Sequence, residues 1–363
     1  MNNSQLSIFN STFKNRKVLI TGHTGFKGSW LTTWLLELGA EIIGISKDIP
    51  TNPSMFEILN LRDEITHYIE DIRSLDKIIN IIKKEKPDFV FHLAAQPIVS
   101  TSYTDPIETI TSNVIGTTNI LEALKQSNHN CTAIMITSDK AYDNVEWVWG
   151  YRENDRLGGK DIYSGSKGAA ELIIKSYFHS FLKNSNIKLA VTRAGNVIGG
   201  GDFAKDRIVV DCMKAWSEGK KVEIRSPEAT RPWQHVLDPL SGYLRLAEKL
   251  YNDNSINGEA FNFGPKSNKN YRVIDLLQDL AKYWNIKEPF TITDNIPFDE
   301  AGLLKLNCDK ALFYLNWEAS LEYEKTIAFT SKWYYNFYKT DIDIKTFTLN
   351  QIKEYEREIK WTE

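Results

Sequence analysis

Three glycines at fixed spacing, Gly22, Gly25 and Gly28, lie between a short apolar run and a helix-like stretch, and nothing else in this 363-residue chain limits its fold as strongly. Val18-Leu19-Ile20 predicts a buried strand. After Gly28, residues Trp30, Leu31, Trp34, Leu35 and Leu38 are apolar at helical spacing, and Gly39 supplies the stop. The segment Thr21-Gly22-His23-Thr24-Gly25-Phe26-Lys27-Gly28 therefore joins a strand to a helix through a tight turn. Such a turn needs the φ freedom of glycine, and backbone that approaches a pyrophosphate closely tolerates no Cβ. The helix that follows offers free N–H groups and a positive dipole end to an anion. A second strand, residues 41–46, completes a βαβ unit, the context in which this spacing predicts dinucleotide binding.

The alternation continues along the chain. An Ile-rich helix is predicted near residues 74–84, then strand 88–93, helix 113–126, strand 133–136, helix 164–183 and strand 189–192. Strands alternating with helices imply an α/β fold, a Rossmann-type doubly wound parallel sheet covered on both faces. From Gly199-Gly200-Gly201 to Trp233 the rhythm breaks and an irregular, Arg- and Trp-bearing region is expected; helical patterns return at 238–251 and 273–286. The expected organisation is a cofactor-binding domain over residues 1–195, also receiving about 236–265. A smaller mixed α/β substrate-binding domain spans 196–235 and 266–340, followed by a helical tail, 341–363, of no catalytic importance.

Composition narrows the function classes. Hydrophobic residues at 42% support a sizeable core, and a net charge of -3 offers no basic field for nucleic acid. No apolar run reaches the about 18 residues of a membrane span, so no membrane partner is expected. Residues 1–17 lack the apolar core of a secretory leader. Cys131, Cys212 and Cys308 show no CxxC and no His/Cys cluster, so they read as inert thiols in a reducing, cytoplasmic setting and no metal site is expected.

Asp48 lies 20 residues (48 − 28) beyond Gly28 and just past the second strand. A carboxylate there accepts hydrogen bonds from a ribose 2′-OH and repels a 2′-phosphate, which favours NAD over NADP; the alternative is that Asp48 opens a turn before Pro50. Asp71-Ile72 follows another short strand, at the adenine or in a solvated loop. Leu93-Ala94-Ala95-Gln96 closes the next strand with small residues suited to backbone passing the nicotinamide end.

Tyr163 and Lys167 form a YxxxK pair that shares one helical face. A nearby ammonium favours the phenolate, so the spacing predicts a depressed Tyr163 pKa and a general base for a substrate hydroxyl. The strand ending at Ile136 delivers Thr137-Ser138-Asp139-Lys140 to the carboxyl edge of the sheet, where ligands of open α/β folds bind. A Ser or Thr here completes a proton relay to Tyr163. Oxidation at C4 of a hexose acidifies the C5 proton, and elimination across C5–C6 then needs a base and an acid, which Asp139 and Lys140 supply side by side.

Together, the glycine loop, Thr137-Ser138-Asp139-Lys140 and YxxxK resemble the extended short-chain dehydrogenase/reductase superfamily in its sugar-nucleotide 4,6-dehydratase branch. Residues 22–28, 146–155 and 231–236 are similar to the CDP-glucose 4,6-dehydratase family, over a similarity running from about residue 13 to 335. The resemblance implies tightly held NAD, CDP-glucose as substrate, a deoxysugar product, and a homodimer or homotetramer built on helices. It implies that Gly22, Thr24, Gly25, Phe26, Lys27, Gly28, Asp48, Asp71, Ile72, Leu93, Ala94, Ala95, Gln96, Tyr163 and Lys167 bind the cofactor. Tyr163 deprotonates the 4-hydroxyl, Thr137 hydrogen-bonds the 4-oxygen, Asp139 protonates the departing 6-hydroxyl, and Lys167 tunes Tyr163. Lys140 stands where dTDP-glucose relatives carry a glutamate that removes the C5 proton. Asn196, Arg207 and Arg231 hold the nucleotide and pyrophosphate, and Arg152 and Gln96 reach the substrate. Trp147 and Trp149 either close over the cytidine or simply pack. Ser100 departs from the family, which commonly has Arg there. Three other readings stay open: a dTDP- or GDP-hexose dehydratase, a C4 epimerase with no use for Asp139 and Lys140, and a non-catalytic NAD-binding module.

Overall fold

A computed structural model describes residues 9–266, 270–293 and 303–361. The central sheet holds seven strands: β1 (Lys17–Thr21), β2 (Glu41–Ser46), β3 (Thr66–Ile69), β4 (Phe89–His92), β5 (Cys131–Ile136), β6 (Ile187–Arg193) and β7 (Ala260–Asn262). Their order is β7-β6-β5-β4-β1-β2-β3, and every pairing is parallel. Chain direction across the sheet reverses between β1 and β4, which opens a crevice at their carboxyl ends.

Side chains on a strand alternate between faces, and along the inner strands both faces are dry, whereas the edge strand β3 is half-exposed. Val18 and Ile20 of β1, with Phe89 and Phe91 of β4, join one core with α1 (Phe26–Glu37) and α6 (Leu237–Asn252). Leu19 and Val90 face the opposite core, against α2 (Leu75–Glu85), α3 (Gly116–Ser127) and α4 (Ile162–Tyr177). That double burial is why the inner strands read as apolar runs.

The structure differs from the sequence reading in three places. The helix expected at 113–126 begins further upstream, as Pro106–Ile110 and a π-helical stretch Thr111–Ile115 that leads into α3. The helix expected to run to 183 closes in a second π-helical stretch, Phe178–Leu182. The region expected to be irregular after Gly199 contains α5 (Ile208–Ser217), whose Val209, Val210, Cys212, Met213 and Trp216 are buried. Its flanking glycines, arginines and tryptophans masked the helical period.

Two C-terminal helices, α8 (Tyr323–Lys339) and α9 (Ile344–Glu358), follow α7 (Val273–Lys282) and lie against the glycine-loop half. Trp34 of α1 donates its indole N–H to Glu356 at 2.8 Å and meets Tyr355 edge to face. Trp30, one turn earlier, donates to the carbonyl of Gly200 at 2.8 Å. Trp333 of α8 fills the space beside Gly200, where a Cβ would fall 2.0 Å from its ring, and donates to Thr348 at 2.9 Å. Because Trp333 is fully buried, Trp333→Ala opens a large cavity; it is expected to cost about 3–5 kcal/mol in urea unfolding.

Candidate active site

The crevice between β1 and β4 is shaped by contacts only glycine permits. Gly22 has φ +75°, and a Cβ on it would lie 2.8 Å from the Ala94 nitrogen; a Cβ on Gly28 would lie 2.1 Å from the Gly22 carbonyl oxygen. The loop is thereby pressed against the Leu93–Ala94 backbone, and α1 starts directly above it. The N-cap of α1 is Gly25, which has no side chain to cap it, so the first-turn N–H groups of Phe26 and Lys27 are left for an anion. Thr24 donates its hydroxyl to the carbonyl of Asp48 at 2.8 Å, binding the loop to the end of β2 and leaving the Asp48 side chain exposed.

Nearby cations are neutralised within the chain: Lys47 pairs with Glu108 at 2.7 Å, and Arg73 with Asp71 at 2.6 Å and with Glu108. This leaves no free cation beside Asp48 for a 2′-phosphate among these residues and fits NAD. The Asp71 carboxylate, held by Arg73, is depressed below its usual range, while Ile72 is buried and its carbonyl accepts from Asn119. Gln96, proposed above to reach cofactor and substrate, is instead buried, its amide donating to Thr109 and to the Ile98 carbonyl. Its side chain shapes the loop that carries Ala95.

His23, within the loop, carried no role in the sequence reading. Its ring turns inward, 2.9 Å from the Ser46 hydroxyl and 2.7 Å from His67 Nδ1, and burial lowers its pKa to about 3, helped by His67. Gly44 makes room, since a Cβ there would fall 2.5 Å from that ring.

Tyr163 and Lys167 lie on α4, both buried, with the ammonium 5.9 Å from the phenol ring centre. Asp161 caps the helix by accepting from the Ser164 N–H at 2.9 Å. The expected depression of the phenol does not occur in the protein alone. Burial, then the Asp139 carboxylate, push Tyr163 up to about 12, against the opposing charge of Arg207. Burial likewise lowers Lys167 to about 8, opposed by Glu171. Lys27 is lowered to about 8 by burial and then by Arg207, with Asp139 acting the other way. Lys27, Asp139, Tyr163, Lys167 and Arg207 thus share one buried field.

The hydroxyl next to the phenol belongs to Ser138 rather than Thr137. Ser138 lies beside Tyr163, whose pKa it acts to lower, donates to Asp139 Oδ1 at 2.8 Å and accepts from the Lys140 N–H at 3.2 Å. Thr137 points the other way, to Glu171 Oε1 at 2.6 Å and the Thr192 carbonyl at 3.0 Å. Successive residues of an extended strand face opposite sides, and that alternation was the signal available in the sequence. Glu171 also receives the buried Arg193 guanidinium, with Nε 2.8 Å from Oε1. Asp139 is buried and Lys140 half-buried.

Of the expected substrate ligands, Arg207 comes to the reactive centre, where it pairs with Asp202 at 2.8 Å. Asn196 has φ +52° and its carbonyl accepts from the Gln234 N–H at 3.2 Å. Arg231 sits on a short strand paired with Tyr271–Arg272, its Nη1 on the Thr230 carbonyl at 2.9 Å, and Arg152 is exposed. Ser100 donates to Asp206 at 2.6 Å, tying the short helix Val99–Thr104 to the segment before Arg207. Trp147 stacks at 5.1 Å on Tyr151, while Trp149 is 68% exposed. Among the described residues, no His, Cys, Asp or Glu cluster suits a metal, and no helix is long and apolar enough to cross a membrane.

The pattern of the GDP-mannose 4,6 dehydratase family matches residues 19–330. The chain is 45% identical to CDP-glucose 4,6-dehydratase of Salmonella typhimurium, over 89% of this chain and 91% of that one. It is 31% identical to CDP-paratose 2-epimerase of Salmonella typhi, over 78% and 88%. Among solved structures, dTDP-glucose 4,6-dehydratase from Bacillus anthracis in complex with NAD shares the fold with a TM-score of 0.74, 20% identity and coverage of 89% and 97%.

Buried imidazoles give the fold a defined acid sensitivity. His23, His92 and His235 are each lowered from 6.5 to about 3, chiefly by burial. The unfolded chain therefore takes up protons that the folded one refuses; their contribution to stability is complete above pH 6.5 and is lost as pH falls toward 3. In urea titrations, His23→Asn is expected to narrow the stability gap between pH 7 and pH 5 by up to about 2 kcal/mol.

Proposed function

This chain belongs to the GDP-mannose 4,6 dehydratase family, and we propose that it dehydrates CDP-glucose to CDP-4-dehydro-6-deoxyglucose. The observation that carries this reading is the meeting of two chemistries in one buried field: Tyr163 and Lys167 for oxidation, Asp139 with its neighbour Lys140 for elimination. An epimerase uses only the first pair. The 45% identical relative supports cytidine as the base.

NAD, when bound, would supply a hydride acceptor and donor for the sugar and a positive ring charge near the phenol. Gly22, Gly25 and Gly28 admit its pyrophosphate, and Asp48 meets a ribose. Tyr163 removes the 4-hydroxyl proton while Ser138, in the place first assigned to Thr137, holds the 4-oxygen. The 4-keto group acidifies C5–H, and Lys140 in its neutral form takes that proton. Asp139, carrying a proton, gives it to the 6-hydroxyl as water leaves; Lys140 then returns a proton to C5, and the proton taken by Tyr163 restores Asp139. Arg207, Arg231 and Asn196 hold the nucleotide on a unit formed by residues 196–235 and 266–340. With its cysteines free and its substrate a sugar nucleotide, we place the protein in the cytoplasm.

The same reading includes a second copy of the chain. Ile107, Ile110 and Ile115 on the helical run before α3, with Leu172 and Phe181 on α4 and its extension, are exposed by 39–67%. Adjacent apolar helix faces of this kind suit a two-fold helical interface. Ile107→Glu combined with Leu172→Glu is expected to shift the protein to a monomer in sedimentation analysis.

The reaction is tested by mass spectrometry of CDP-, dTDP-, GDP- and UDP-hexoses incubated with the protein and NAD in heavy water. Loss of one water from CDP-glucose, with one deuterium at C5, is the expected result; unchanged substrate masses throughout would overturn the assignment. Tyr163→Phe is expected to lower turnover by roughly 10²–10⁴-fold.

A further inference from the structure

Gly195 lies just beyond β6 and immediately before Asn196. Its φ is not among the positive values that reserve a position for glycine, so its backbone would accept any ordinary residue. The atoms that a side chain there would meet first belong to one group. A Cβ on Gly195 would fall 1.9 Å from Asp139 Oδ2, 2.1 Å from its Cγ and 2.5 Å from its Oδ1, and these are the three nearest atoms. Other tight glycines meet scaffold: Gly200 faces Trp333, Gly44 faces His23 and Gly242 faces Phe263. Gly195 faces the carboxylate to which the proposed reaction assigns departure of the 6-oxygen.

Both partners are held in place by hydrogen bonds. The buried Gln234 side chain donates to the Gly195 carbonyl at 2.9 Å, and the Gln234 N–H donates to the Asn196 carbonyl at 3.2 Å, so the backbone at 195 is held from the far side. Asp139, 4% exposed, has its other oxygen fixed by Ser138 at 2.8 Å. We propose that Gly195 is a positioning residue for the elimination step: the space left by its missing side chain is the seat of the Asp139 carboxylate. This rests on the reading of Asp139 as the acid. A methyl group at 195 displaces the carboxylate, and neither Tyr163 nor Lys167, both on α4, is among the atoms it meets first.

The test separates oxidation from elimination in the NAD-loaded enzyme. In Gly195→Ala, single-turnover formation of reduced cofactor from CDP-glucose is expected within a few-fold of the parent, whereas water loss falls roughly 10²-fold, the scale of losing a general acid. Reduced cofactor therefore accumulates. With CDP-6-deoxy-6-fluoroglucose, whose fluoride depends far less on a proton to leave, the elimination defect shrinks to a few-fold. In an Asp139→Asn background the same change adds no further loss. Equal losses in oxidation and elimination, equal losses with both leaving groups, or unimpaired water loss would each overturn the proposal. If Gly195→Ala does not fold, Asp139→Ala/Gly195→Ala has room for the methyl: a folded double variant upholds the contact, and an unfolded one refutes it. A parent enzyme that eliminates neither water nor fluoride refutes the functional reading itself, which is a different result from any of these.

Discussion

The carbonyl of Gly22 lies so near the start of α1 that one carbon added at Gly28 would come within 2.1 Å of it. That contact sets how sharply β1 turns into α1, and hence where the open end of the helix is aimed. The same loop touches Ala94 on the next strand in the sheet, so it cannot shift without moving the floor of the crevice. Rigidity here depends on support from behind, which Trp30 and Trp34 supply by hydrogen-bonding to segments far along the chain. A helix apolar on nearly every side would be a poor surface element; α1 is held as a core element between the sheet and the last helices.

The centre itself is arranged around unfavourable burial. The dry surroundings disfavour charge on Lys27 and Lys167 and favour the neutral phenol of Tyr163. Such a site is poised for a ligand that carries charge of both signs, because an anionic diphosphate and a cationic ring would each shift these groups back. Ser138 joins the two halves of the chemistry, touching the phenol on one side and the Asp139 carboxylate on the other.

The inner strands of the sheet were legible because they are buried on both faces, which writes an apolar run into the sequence; the edge strand β3, Thr-His-Tyr-Ile with no fully buried residue, carries no such run. The βαβ rhythm then left little freedom in topology. The glycine loop and YxxxK pair were legible as local spacing. What escaped was whatever depends on facing. Thr137 and Ser138 are chemically alike, and only the strand's alternation decides which meets Tyr163. The inward turn of His23 depends on Gly44 and His67, residues 21 and 44 positions away in the chain (44 − 23 and 67 − 23). The helix α5 was hidden by flanking residues that usually belong to loops. Arg207 was expected at the substrate, yet its Asp202 partner and its place beside Tyr163 are tertiary facts.

The tail was expected to be a terminal helix of no catalytic importance; it forms α9, which braces the helix following the glycine loop. The hydrogen bond from Trp34 to Glu356 spans 322 residues of sequence. At roughly 5–20 residues per second of synthesis, the glycine-loop helix emerges from the ribosome some 15–65 s before its brace exists. Through that interval the tryptophan face of α1 has no permanent cover, and β7, the last strand of the sheet, is also still to come. One of the first elements made is therefore among the last to be finished, and the growing chain carries an uncovered core face that the finished protein does not.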